Sequence, residues 1–151
     1  MLERILQVLA TWFGCGLSPR APGTVGTLGA VPLLWLMSSL NPIQYMIATF
    51  GFVVLSIWVA HLYELVVSEK HDCPEFVMDE VAGFLVAMVW VPFTWQNLVL
   101  GFALFRFFDV LKPFPISWID RRVHGGVGTV GDDLAAGIGV NVILQVVLGR
   151  F

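Results

Sequence analysis

The chain has 151 residues, 58% of them hydrophobic and only 13% charged, with a formal net charge of −3 and a mean hydropathy of +0.84. Soluble domains are roughly 45–50% apolar, so this composition points to a membrane protein, and its length fits one domain spanning residues 1–151. The acidic balance lacks the basic field that phosphate-backbone binding requires, which excludes nucleic acid as a partner.

In chain order, "MLERILQVLATWFGCG" has Arg4 and a short apolar stretch but no small-residue cleavage site, and Glu3 lies where a signal peptide would be basic. It reads as a short retained helix at the membrane interface. The next segment, "GCGLSPRAPGTVGTLGAVP", holds Gly14, Gly16, Gly23, Gly26 and Gly29 with Ser18, Thr24 and Thr27, so its backbone N–H groups could approach an oxyanion closely. It lacks the G-K-[ST] of a nucleotide-phosphate loop, and a plain re-entrant turn explains the glycines equally well. Helices are then expected over 24–40, 43–62, 81–95, 98–111 and 134–148, because apolar runs of this length exceed strands and show no period of two. Ile43 to Leu62, with His61 its one ionisable group, matches a bilayer core of about 20 residues; the others are shorter. The expected fold is an all-α integral membrane bundle.

If the five stretches cross in turn, segments 14–23, 64–80 and 112–133 emerge together, while the opposite side has only "NP" and "WQN". The loaded side gathers Glu64, Glu69, Asp72, Glu75, Asp79, Glu80, Asp109, Asp120, Asp132 and Asp133, with Arg20, Lys70, Lys112, Arg121 and Arg122. The positive-inside bias makes it cytoplasmic, although Arg150 at the far end of the last stretch opposes this. Cys15 and Cys73 allow one bridge at most and have no metal-site spacing, in keeping with a reducing compartment.

Three constellations could carry chemistry. Asp79-Glu80 and Asp132-Asp133 each stand at an expected helix start, and Asp109 near a helix end; paired acids on adjacent helices can hold a hard cation such as Mg²⁺. One acid per helix start would serve as a cap, but capping explains neither two acids at each start nor Asp109, where the helix dipole disfavours negative charge. In "FRFFDVLKPFP", Arg106, Asp109 and Lys112 are spaced i, i+3, i+6 before Pro113. Arg and Lys together suit phosphate, although an Arg106–Asp109 pair that merely shelters two charges near the membrane is the plainer alternative. The third is the glycine-rich segment itself. No Cys-x₅-Arg phosphate loop, D-x-D-x-T stretch or His-based zinc site is present, and His61, His71 and His124 are scattered.

"GLSPRAPGTVGTLGAVP", "HDCPEFVMDEVAG", "LFRFFDVLKPFPISWIDRRVHGG" and "VGDDLAAG", in this order, resemble the phosphatidylglycerophosphatase A family over essentially the whole chain. The resemblance implies an all-helical, Mg²⁺-dependent phosphatase of the bacterial inner membrane that converts phosphatidylglycerophosphate to phosphatidylglycerol and inorganic phosphate in glycerophospholipid biosynthesis. The family pattern falls on Pro22, Gly23, Thr24, Asp72, Asp79, Glu80, Arg106, Asp109, Lys112, Pro113, Asp132 and Asp133. Cys73 intervenes where Pro usually follows the first acidic residue of that loop, and Cys15 replaces a smaller residue; neither removes a charge, but Cys73 makes the role of Asp72 less secure.

On this reading Asp79, Glu80, Asp109, Asp132 and Asp133 are catalytic and hold Mg²⁺ at a cytoplasm-facing site, and Arg106, Lys112, Gly23 and Thr24 receive the phosphate. The partners are then a phospholipid substrate and the membrane, with no obligate protein partner. Water and a carboxylate both remain open as the nucleophile. The alternatives are a phosphatase of another lipid or prenyl phosphate, and a small cation transporter, which should carry polar groups at mid-span on several helices.

Overall fold

The computed structural model describes residues 1–67 and 73–149. Glu69, Lys70, His71, Asp72 and Arg150, which entered the expectations above, lie outside the described residues.

The described residues form helices and turns and contain no strand. In chain order the helices are α1 (Leu2–Ala10), α2 (Pro22–Gly29), α3 (Val31–Met37), α4 (Pro42–Val66), α5 (Met78–Ala87), α6 (Trp95–Leu111), α7 (Ile116–Arg122) and α8 (Gly126–Val147), with a 3₁₀ turn at Cys15–Leu17. The all-α expectation holds, and the short first helix is present.

Several boundaries differ from the expected ones for local reasons. The 24–40 stretch is two helices: α2 ends at Gly29, and α3 starts at Val31 with Pro32 in its first turn, where a missing N–H costs nothing. α4 runs longer than expected at both ends. A capping box opens it, the Asn41 side chain accepting from the Gln44 backbone N–H while Gln44 accepts from Asn41. At 25 residues it is about 37 Å long, enough to cross a bilayer core, and Phe50, Trp58 and Leu65 are exposed along it. α8 is likewise long and apolar enough to span. It starts at Gly126, so the glycine-rich stretch before Asp132 is helical, and α7 occupies part of the expected 112–133 loop.

The largest departure is α5. Expected over 81–95, it spans only Met78–Ala87, because Trp90 takes a left-handed backbone (φ 60°) and Pro92 follows. Ten residues give about 15 Å, half a bilayer core. The helix is surrounded by protein: Met78, Val81, Ala82, Phe84, Leu85 and Ala87 are fully buried. Its neighbour α8 approaches through glycine, since a Cβ on Gly137 would lie 2.3 Å from the Gly83 carbonyl oxygen. A helix ending inside an apolar bundle leaves carbonyls without partners. Here α8 supplies donors: Asn141 Nδ2 donates to Ala87 O (3.0 Å) and Val89 O (2.8 Å), and Gln145 Nε2 donates to Val89 O (2.9 Å).

Among the described residues, parts of the three segments expected on one side meet at one place. The start of α2, the approach to α5, the end of α6, α7 and the start of α8 surround one polar cavity. At the other end of α5 a smaller cavity of about 310 Å³, lined by Leu34, Met37, Tyr45, Met88, Val91 and Phe93 among others, contains no charged residue in its lining.

Candidate active site

The polar cavity has a volume of about 680 Å³. Its floor is assembled by the α5–α8 contact. Asp79 stands one turn before Gly83, and Asp133 one turn before Gly137, so the backbone approach of the two glycines brings the carboxylates together. Oxygens of Asp79, Glu80 and Asp133 lie within 4.8 Å of one another. Asp79 and Glu80 occupy the first turn of α5, as the sequence predicts. Asp132 and Asp133 do not open a helix: they sit in the second turn of α8 and are buried, which removes the capping explanation for them.

Burial pushes the Asp79 carboxyl well above the ordinary carboxylate range, and the charges of Glu80 and Asp133 push it further. Burial also raises Glu80, against the opposing hydrogen bond with Asp79 and the Arg106 charge. The Asp79 carboxylate accepts from the Glu80 backbone N–H at 2.9 Å. Glu80 Oε2 and Asp133 Oδ1 are buried without a hydrogen-bond partner. Such oxygens cost free energy unless a proton or cation meets them. Six carboxylates, Asp79, Glu80, Asp109, Asp120, Asp132 and Asp133, face two permanent cations, Arg106 and Lys112, among the described lining residues. A close-set oxygen donor group with unsatisfied buried oxygens and excess negative charge fits a hard divalent cation.

The cations come from α6. Arg106 bonds Asp109 one turn on, the simple pairing considered above, but its Nη1 also lies 3.7 Å from Glu80 Oε1, tying the pair to the acidic cluster. Gly23 closes over this contact: a Cβ there would lie 2.1 Å from Glu80 Oε1 and 3.0 Å from Arg106 Nη1. The expected convergence of Gly23, Glu80 and Arg106 is therefore present. Thr24 follows Gly23 in α2, half-buried and outside the cavity lining. Lys112 does not continue the helical face of Arg106 and Asp109. It takes a left-handed backbone (φ 43°) as the C-cap of α6, and its Nζ donates to Asp132 Oδ2 at 2.7 Å and to Asp120. Burial alone would lower the Lys112 pKa, but these two carboxylates outweigh it and raise it.

Asp120, His124 and Thr129 also line the cavity, and no sequence motif marks them as site residues. Asp120 falls one turn after buried Ile116 on α7, a helix too short to show a periodic pattern. Thr129 donates to Glu64 Oε1 at 3.0 Å, joining α8 to the end of α4.

Residues 8–148 match the family profile described as phosphatidylglycerophosphatase A. The chain is 38% identical over 133 residues to a phosphatidylglycerophosphatase A of Escherichia coli, covering 87% of this chain and 77% of the relative. It is 36% identical over 137 residues to a phosphatidylglycerophosphatase A of Haemophilus influenzae, covering 88% and 82%. A Bacteroides thetaiotaomicron relative named "Putative phosphatidylinositol-3-phosphatase" is 34% identical over 149 residues, covering 92% and 91%. No solved structure matches. The profile covers nearly all of a chain whose glycine-rich, acidic and Arg-Asp-Lys segments converge on one cavity, and the chain belongs to the phosphatidylglycerophosphatase A family.

Proposed function

We propose that the protein is a divalent-cation-dependent phosphatase of the cytoplasmic membrane that hydrolyses the terminal phosphate monoester of phosphatidylglycerophosphate, releasing phosphatidylglycerol and inorganic phosphate. Family membership makes it a phosphoric monoester hydrolase. The observation that carries the cation requirement is the Asp79, Glu80 and Asp133 cluster, with its unpartnered oxygens, in a cavity where carboxylates outnumber cations. A phosphate dianion would be repelled from this cavity as it stands.

Asp79, Glu80 and Asp133 would hold the ion, and Mg²⁺ bound there supplies Lewis-acid polarisation of the phosphoryl group. Arg106, anchored by Asp109 and Glu80, presents a planar donor fork to the phosphate oxygens. Lys112, held between Asp120 and Asp132, adds a point charge to the same cavity. Gly23 lets the α2 backbone pack against the Glu80–Arg106 contact, where a side chain would displace it. Asp109 acts through Arg106 and Asp132 through Lys112, each fixing a cation as well as adding negative charge.

The membrane assignment rests on α4 and α8, and on exposed Trp35, Trp90 and Trp95 near the uncharged end, where interfacial aromatics belong. The charged cavity would then face the cytoplasm and meet the lipid head group at the bilayer surface.

The name of the Bacteroides relative favours a second reading, in which the same chemistry acts on an inositol lipid phosphate. Phosphate release by detergent-purified protein tests both. Release from phosphatidylglycerophosphate with Mg²⁺, lost with a chelator and in Asp79→Asn, is the expected result. Release from phosphatidylinositol 3-phosphate alone would move the substrate to the second reading.

A further inference from the structure

We infer that Asn141 is a positioning residue for the carboxylate cluster: its amide clasps the C-terminal end of α5 and sets the register that brings Asp79 and Glu80 against Asp133. The inference rests on reading that cluster as a divalent-cation site. α5 and α8 run parallel and meet at three heights four residues apart. Asp79 faces Asp133 at the cavity, Gly83 meets Gly137 one turn below, and Ala87 meets Asn141 one turn further.

The middle contact sets distance but has little power to set register, since two backbones without side chains can slide. The polar contact below it is directional. Asn141 donates to both Ala87 O and Val89 O, and Gln145, one turn on, donates to Val89 O. Sliding or rotating α5 breaks these bonds and leaves carbonyls unpaired among apolar side chains, which costs more than the bonds are worth in water. The clasp lies eight residues, about 12 Å, from Asp133, and none of its residues lines the polar cavity. Its effect on the cluster therefore passes through the helix pair, as outer groups orient metal ligands elsewhere.

Mn²⁺ binding to the purified full-length chain in detergent, followed by the loss of the free-ion spin-resonance signal, reads this without recourse to activity. Asn141→Leu should weaken Mn²⁺ binding about tenfold or more, within the range for outer-sphere partners. Gln145→Met, which removes one of the three bonds, should fold readily and weaken binding less. Tyr45→Phe is the control, because Tyr45 also donates to an α5 carbonyl, Leu85 O at 3.3 Å, but from α4. It should lower the melting temperature without changing Mn²⁺ affinity. Folded Asn141 and Gln145 variants with wild-type affinity would overturn the inference, as would a Tyr45→Phe loss equal to theirs. Wild-type protein that bound no Mn²⁺ would overturn the cation reading itself, and the clasp's role with it.

Discussion

At the scale of single residues, the site depends on contacts too close to tolerate one added atom. A methyl group on Gly23 would overlap Glu80 Oε1 at 2.1 Å, so Gly23→Ala must displace Glu80 and loosen Arg106. We expect phosphate release to fall on the order of 100-fold, the scale for displacements near 1 Å, with little change in melting temperature because Glu80 has the cavity to move into. Steady-state kinetics beside a thermal melt checks this. The buried hydroxyls of Thr49 and Ser56, which have no partner, behave differently. Replacing Thr49 by Val keeps the shape and removes an unsatisfied group, so stability should hold or rise by up to about 1 kcal/mol, measured by denaturant titration in mixed micelles.

At the scale of elements, the α5–α8 pair is the part least visible in the sequence. The apolar run from Val81 predicts a helix through Trp95, because nothing in composition separates a buried half-length helix from a spanning one. Pro92 was the available signal, and it marks the break a few residues late. Gly126 to Gly131 reads as loop by its glycines, yet it is helical because those glycines permit close packing: a Cβ on Gly126 would lie 2.5 Å from Ile57 O on α4. The same packing makes Gly137→Val a severe change. Its side chain would enter the Gly83 carbonyl, and overpacking of this kind costs about 1–3 kcal/mol. A lowered melting temperature together with weakened Mn²⁺ binding is expected; loss of stability with unaltered binding would show that the helices separate below the cluster only.

At the scale of the whole molecule, the convergence of charged segments is legible because acidic residues cluster between apolar runs, and among the described residues parts of those segments meet at one cavity. Asp79, Glu80, Asp109, Arg106 and Lys112 were read from their types and spacing. Which carboxylate pairs with which cation was not legible, since that depends on the left-handed turn at Lys112 and on α7, which brings Asp120 within reach. The orientation makes its own prediction. Cys73, lining the cavity, should resist a membrane-impermeant thiol reagent added to intact cells, whereas Asn41→Cys, at the start of α4, should react. The reverse labelling pattern would invert the proposed topology.

The central claim is that Asp79, Glu80 and Asp133 hold a divalent cation on which phosphate release depends. Titrating Mg²⁺ into metal-stripped wild-type and Asp133→Asn protein, with phosphatidylglycerophosphate in the same micelles, tests it most directly. The account predicts saturable, Mg²⁺-dependent phosphate release by the wild type, and a loss of at least about 100-fold in the variant, the scale of removing one preorganised electrostatic partner. Undiminished release by stripped wild-type protein in excess chelator, or by Asp133→Asn, would contradict it.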